Sequence, residues 1–322
     1  MAKSPASKRS PVPAKGTPRS TGKNAPKGAA KGGRPAGLFT WIAVGLVVVI
    51  VVALVIIKVS SGSPTPSGSS NFQATSPTIV SELSHVPTSV FNAVGVTSPV
   101  AQVTAPVAIK NQPALTATSD SGATLPEIFY LGAEFCPYCA AERWPTIIAL
   151  SRFGTFSGLG DMSSSSSDYL GTPSFTFVKT KYTSKYLVFK SVEASSNIFD
   201  TKTNFWVPLQ KVTTSEDALV KKYQSSKYIA GWTSQDNGSI PFITLDNKFI
   251  VPGAQFTPST LANQSRSDIA AGLSNATSPI TQAIISAANE WTAALCVVTQ
   301  GQPANVCTSA GVSAAKKAMG IK

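Results

Sequence analysis

The chain has 322 residues, with 27 Lys or Arg against 15 Asp or Glu, a single histidine and four cysteines. That length allows one large domain or two small ones, and the lone histidine all but excludes His-dependent triads and multi-histidine metal sites. The net charge of +12 is not read as a nucleic-acid signal, because nine of the cations fall in residues 1–37 and a tenth is Lys58, which leaves +2 for the remainder.

Residues 1–37 contain no Asp or Glu and are rich in Pro, Gly, Ser and Ala, a composition expected to form a disordered basic tail. Leu38 to Ile57 runs twenty residues without a charge, enough at about 1.5 Å per residue to cross a hydrocarbon core of ~30 Å. With Lys58 closing it, the segment 38–58 reads as a transmembrane helix. The small-residue cleavage site of a signal peptide does not follow it, so an uncleaved anchor is the expectation. The positive-inside rule keeps the tail in the cytoplasm and sends the rest across. The chain is therefore read as a single-pass protein of the cell membrane whose tail touches anionic lipid headgroups. Residues 59–75, with SSGSPTPSGSS, form a flexible linker, and 76–322 an extracytoplasmic domain.

That domain opens with TIVSELSHVPTSVFNAVGV, one or two short helices interrupted at Pro87, and VAQVTAPVAIK, a strand-like run. Both are expected to pack on the domain as an extension, with His85 in an ordinary surface or packing role. Glu127 to Ala133 is rich in Ile, Phe, Tyr and Leu, as a buried strand is, and from Pro137 the apolar residues follow helical spacing. The only close cysteine pair, Cys136-Pro137-Tyr138-Cys139, thus sits at a strand-to-helix junction. Unpaired amides and the helix dipole there favour a thiolate, which makes Cys136 the expected nucleophile and Cys139, one turn deeper, the resolving thiol.

Pro145 should kink the helix near its start. GTFSGLGDMSSSSSDYLGTP, with five consecutive serines, reads as a mobile loop near the cysteines. Ser174 to Val178 and Tyr186 to Val192 flank KTKYTSK and predict a hairpin, while Ser215 to Tyr228 predicts a short helix. Tyr182, Tyr186, Phe189, Phe205 and Trp206 are expected in core or sheet packing, with a peptide-binding surface as the alternative. Pro241 to Leu245, the Asp246-Asn247 turn and Lys248 to Val251 form a strand, tight turn and strand. Helices are expected over Ser259 to Leu273 and Ser278 to Val298, the latter with Ile280, Ile284, Ala287, Trp291, Leu295 and Val298 on one face. Cys296 and Cys307 bracket a Gly-Gln-Pro turn. On the oxidising side of a membrane a structural disulfide is expected there, with a second redox relay or free thiols as alternatives.

Ala133-Glu134-Phe135-Cys136 followed by Pro-Tyr-Cys resembles the active-site junction of the thioredoxin superfamily, and Ile240-Pro241 ahead of a hairpin resembles its cis-proline loop. GAEFCPYCAAERW, ALSRFGTFSGL, SIPF and the late cysteine pair are similar to the domain-of-unknown-function family 929, over about residues 76 to 310. The resemblance implies an α/β, thioredoxin-like fold: a mixed central sheet flanked by helices, with an insertion between the CxxC helix and the cis-proline strand. It implies a cis Ile240-Pro241 bond, Cys136, Cys139 and Pro241 as catalytic residues, and Ile240, Pro137 and Tyr138 against the substrate strand. No cofactor is implied. One departure is Tyr130, which replaces the buried acid six residues before the first cysteine. Glu134 and Glu142 are candidates for its proton-transfer role, or are solvated or capping residues, and Arg143 either stabilises a thiolate or pairs with Glu142.

The function expected is thiol–disulfide exchange on exported proteins, recycled by a membrane redox partner. The alternatives are a redox-inert binding or assembly module of the cell envelope with a structural Cys136–Cys139 disulfide, and metal handling by the same thiols.

Overall fold

The structure, a computed structural model, describes residues 72–98, 102–165, 169 and 171–321. The expected tail, membrane span and most of the linker lie outside these residues, and among the described residues no helix is long and apolar enough to cross a membrane.

In chain order the strands are β1 (Gln73–Ala74), β2 (Val107–Ala108), β3 (Thr116–Thr118), β4 (Thr124–Gly132), β5 (Gly154–Ser157), β6 (Gly160–Ser163), β7 (Pro173–Thr176), β8 (Lys181–Ser184), β9 (Val188–Glu193), β10 (Ser195–Asp200), β11 (Phe205–Pro208), β12 (Phe242–Leu245) and β13 (Phe249–Pro252). The helices are α1 (Pro77–Ser84), α2 (Thr88–Val94), α3 (Pro137–Ser151), α4 (Thr214–Tyr223), α5 (Arg266–Gly272), α6 (Pro279–Val298), α7 (Ala304–Cys307) and α8 (Ala310–Ala318). The result is a mixed α/β architecture.

Its main sheet runs β2-β13-β12-β4-β3, with β9 also paired to β4. β12 lies antiparallel to β4, Ile243 opposite Tyr130, whereas β9 is parallel to it, Gly132 opposite Glu193. The residues of β4 explain why the sheet is buried on both sides. Ile128 and Tyr130 join the larger core with Trp144, Ile147 and Ile148 of α3 and Ile284, Ala288 and Trp291 of α6. Phe129 and Leu131, pointing the other way as strand alternation requires, pack with Val220 and Tyr223 of α4. The β12–β13 connection turns through Asp246 and Asn247, whose φ values of 52° and 53° are those of the Asx-rich two-residue hairpin turns.

Several elements differ from expectation. Pro173–Thr176 and Val188–Glu193 do not pair with each other: β7 pairs β6, β9 joins the main sheet, and the supposed turn between them supplies β8, which pairs β5. The run expected as a loop therefore contributes β5 and β6. Tyr182 and Phe189 pack with Phe156 and Phe177 in an aromatic cluster that this pairing creates. The helix expected over Ser259 to Leu273 divides into a short 3-10 turn at Pro258–Leu261 and α5, because Asn263 adopts φ 61°, which a helix does not admit. The helix expected to Tyr228 ends at Tyr223; it starts from a reciprocal Thr213/Glu216 capping box. Phe91 and Val94 of α2 and Leu83 of α1 lie within the main core, so the N-terminal extension is integral to it. Cys296 and Cys307 form a disulfide that ties the end of α6 to α7.

Candidate functional site

β4 delivers the chain through Ala133, Glu134 and Phe135 to Cys136, the N-cap of α3, at φ −76° and ψ 120°. Pro137 fits the first helical position because it has no amide hydrogen to leave unpaired and its φ is already helical. The Cys136 thiol takes the place a serine or aspartate oxygen usually fills: its Sγ accepts from the Cys139 amide at 3.3 Å. The same Sγ lies 3.6 Å from the Ile240 carbonyl oxygen, to which the thiol donates. The Ile240–Pro241 peptide is cis, and it leads directly into β12. Two segments distant in sequence, the strand-to-helix junction and the cis-proline peptide, therefore meet at one sulfur.

Both thiols are unbonded to each other and buried, Cys136 at 2% exposure and Cys139 at 0%. Their acidities are driven apart. Burial pushes the Cys136 thiol up, but hydrogen bonds from the Cys139 thiol and amide, with the charge of Arg143, outweigh it and carry it below the ordinary thiol value. Burial, then the hydrogen bond and charge of Cys136, push Cys139 well above it. In such a pair Cys136 loses its proton before Cys139 does.

The polar groups beneath the pair correct the sequence reading. Arg143 does not pair with Glu142. It is fully buried and forks onto Glu193 at the end of β9, Nε to Oε1 at 2.9 Å and Nη2 to Oε2 at 2.6 Å, while Nη2 also donates to the Ala133 carbonyl at 3.0 Å. Burial opposes its charge and Glu193 more than restores it. Glu134 and Glu142 are neither solvated nor capping: both are buried. Burial holds the Glu134 carboxyl above the usual range against a hydrogen bond from Thr176. Glu142 faces α6, accepting from the Gln255 amide at 2.9 Å and Trp291 Nε1 at 2.7 Å, and burial raises it to about 8. Tyr130 is buried beside Arg143, whose guanidinium carbon lies 5.7 Å from its ring centroid, and its hydroxyl finds no partner among the described residues.

Tyr138, 37% exposed, points outward with its hydroxyl 3.1 Å from that of Tyr169. The serine run is anchored at its middle residue, where the Ser165 amide donates to the Phe135 carbonyl at 2.9 Å; residues 166–168 lie outside the described set. Sequence reading missed one part of this site and gave Trp206, in another, only as core packing or a peptide-binding surface. The missed part is Glu193, signalled only by an acid closing an apolar strand. The other is the wall formed by Phe135 and Trp206, stacked with centroids 4.9 Å apart and planes 5° off parallel. No group of three or more metal-ligating side chains occurs among the described residues.

Comparison with curated proteins and with solved structures finds no match. A family model described as "Domain of unknown function (DUF929)" matches residues 117–297, from β3 through most of α6, and so takes in the dithiol, the cis-proline peptide and the Arg143–Glu193 pair. The chain belongs to the DUF929 family.

Proposed function

We propose that the protein is a membrane-anchored thiol–disulfide oxidoreductase acting outside the cytoplasm on exported proteins, with Cys136 as nucleophile and Cys139 as resolving thiol. The observation that carries the reading is the pair of thiols at a helix N-terminus with acidities pushed in opposite directions, one of them against the carbonyl of a cis-proline peptide. A thioredoxin-like core is part of the same reading. Its support is the order β13-β12-β4-β9, with β9 parallel to β4 and the other two antiparallel in succession. α3 follows β4, α4 lies between β9 and β12, and α6 follows β13. The strands β5 to β8 and the hairpin β10–β11 are then insertions around that core.

In the reducing direction the Cys136 thiolate attacks one sulfur of a substrate disulfide, and the second substrate sulfur leaves as a thiolate that takes a proton from water. Cys139 then loses its proton and attacks Cys136 Sγ, breaking the mixed disulfide. The dithiol has become a disulfide and the substrate has gained two electrons; the oxidising direction is the reverse. A membrane redox partner would reset the pair, and the uncharged stretch 38–57 would hold the domain near it.

A redox-inert envelope module is the second reading, favoured by the near-complete burial of Cys136 and by Tyr130 in place of an acid. The two separate on trapping. Under oxidoreductase chemistry Cys139→Ser accumulates mixed disulfides with partners and Cys136→Ser does not. Trapping by neither variant supports the inert module, and equal trapping by both refutes Cys136 as the nucleophile.

A further inference from the structure

Three arginines fall among the described residues, and two of them meet an acid: Arg143 pairs with Glu193 and Arg266 with Asp161. Arg152, at the C-terminal end of α3, meets only hydroxyls. Its Nη1 donates to Thr292 Oγ1 and its Nη2 to Ser309 Oγ, each at 3.3 Å. Charge-assisted bonds from a guanidinium ordinarily run ~2.7–2.9 Å, so both are loose, and its other N–H groups have no partner among the described residues. The guanidinium carbon lies 4.0 Å from the Phe91 ring centroid. That ring face and the carbonyl end of α3 favour a cation, but neither supplies a counter-charge. The side chain is half-buried. Burial lowers it to about 10 with no neighbouring charge acting on it, so it stays a cation at neutral pH.

Arg152 lines a pocket of about 140 Å³ together with Ser84, Thr88, Phe91 and Asn305, and no acid stands among the described residues around it. Thr88 and Asn305 are exposed, and their side chains make no hydrogen bond among the described residues. A water takes about 30 Å³ of liquid volume, so the space has room for the five heavy atoms of a tetrahedral oxyanion. A cation drawn partly out of water is costly without a partner of opposite charge. Here that cation borders an open space with neutral hydrogen-bond donors beside it, which is the lining an anion needs.

We propose that this pocket, lined by α1, α2, the end of α3 and α7, is a binding site for a phosphate-sized oxyanion held by the Arg152 guanidinium, with Thr88 and Asn305 as further donors. The bound anion completes the charge of Arg152 and so ties the N-terminal extension to α3 and to the disulfide-bonded end of the domain. The site is independent of the dithiol and of the redox reading above. The phosphate group is supplied either free in solution or on an anionic lipid headgroup, and the two sources are separated below.

The test follows the thermal unfolding midpoint of the full chain in phosphatidylcholine nanodiscs as sodium phosphate replaces sodium chloride at constant ionic strength and neutral pH. Phosphate in the pocket raises the midpoint, whereas phosphate on the basic tail leaves the unfolding of the domain where it was. The expected result is a rise that saturates in the unaltered chain, with half-saturation shifted at least about tenfold upward in Arg152→Met by loss of the charge-assisted bonds. Thr88→Glu, which puts a carboxylate into the pocket at the first position of α2, where an acid is well placed, should shift it likewise and keeps the test decisive if Arg152→Met does not fold. A rise of equal size and concentration dependence in the unaltered chain and the variants is salting-out alone and overturns the site, as does the absence of any rise in the unaltered chain. Phosphatidylglycerol nanodiscs separate the sources. A headgroup in the pocket raises the midpoint of the unaltered chain but not of the variants, and added phosphate then adds nothing; a midpoint equal to that in phosphatidylcholine, still raised by phosphate, assigns the free ion.

Discussion

Replacing Arg143 by Met and Glu193 by Gln, in separate proteins, should move the Cys136 thiolate in opposite directions. Arg143 follows Cys136 by seven positions of α3, a rise of about 10 Å. The guanidinium reaches back to the Ala133 carbonyl, so at an effective dielectric of ~20 and a separation of no more than about 10 Å a unit charge is worth about 1.7 kcal/mol or more, at least roughly 1.2 in pKa. Arg143→Met removes the cation that helps hold the thiolate and leaves Glu193 alone, so the Cys136 pKa rises by about that amount. Glu193→Gln leaves the guanidinium without its counter-charge, so the pKa falls comparably. Either change strands a buried charge, which costs roughly 3–5 kcal/mol of stability, and urea unfolding of each variant at the assay temperature checks that the site is still folded. The rate of Cys136 alkylation against pH, read by mass, gives the thiolate pKa. Shifts of the same sign, or a pKa that neither substitution moves, would refute an electrostatic role for the pair and leave it as packing alone.

Stability should fall as pH rises from about 5 to 8. Burial lifts Glu142 to about 8 and Glu290 to about 7 in the fold, against 4.5 for the free carboxyl, so the folded state binds more protons across that window and loses its advantage as they leave. Urea midpoints at several pH values check this, and a flat profile contradicts it. Removing the capping box with Thr213→Ala should cost ~1 kcal/mol, seen as a lower urea midpoint with Cys136 alkylation unchanged, since α4 lies on the sheet face away from α3. Opening the Cys296–Cys307 disulfide by double Ser substitution closes no loop across its separation of 11 positions and should cost ~3 kcal/mol in the chain-entropy model, measured as a drop in thermal midpoint.

The dithiol was legible in the sequence because its information is local. An apolar strand, a proline at the first helical position and two cysteines one turn apart specify the junction without help from the rest of the chain. The Ile240–Pro241 peptide was placed by resemblance, since spacing says nothing of what a peptide whose Ile240 is 104 positions from Cys136 will face. Glu193 was not legible because its partner Arg143 is 50 positions away and reaches it only through the parallel pairing of β9 with β4. The sequence accordingly offered Arg143 only a thiolate or the nearest acid, Glu142, which the helix instead turns toward Trp291. The failed hairpin has the same origin: β-branched and aromatic runs mark β7 and β9 as strands, but partner choice was settled by packing around Phe156, Phe177 and Phe189. Tyr130 stands where the resemblance would put an acid, and the buried charge beside it is Arg143, on a helix rather than a strand.

The most direct test of redox function is the reduction potential of Cys136–Cys139 in the full chain, obtained by glutathione titration with alkylation and mass readout. A functioning exchange site should titrate between about −120 and −270 mV, with Cys296–Cys307 oxidised throughout. A Cys136–Cys139 disulfide that persists below about −300 mV, in the range of structural bonds, would contradict the proposed chemistry.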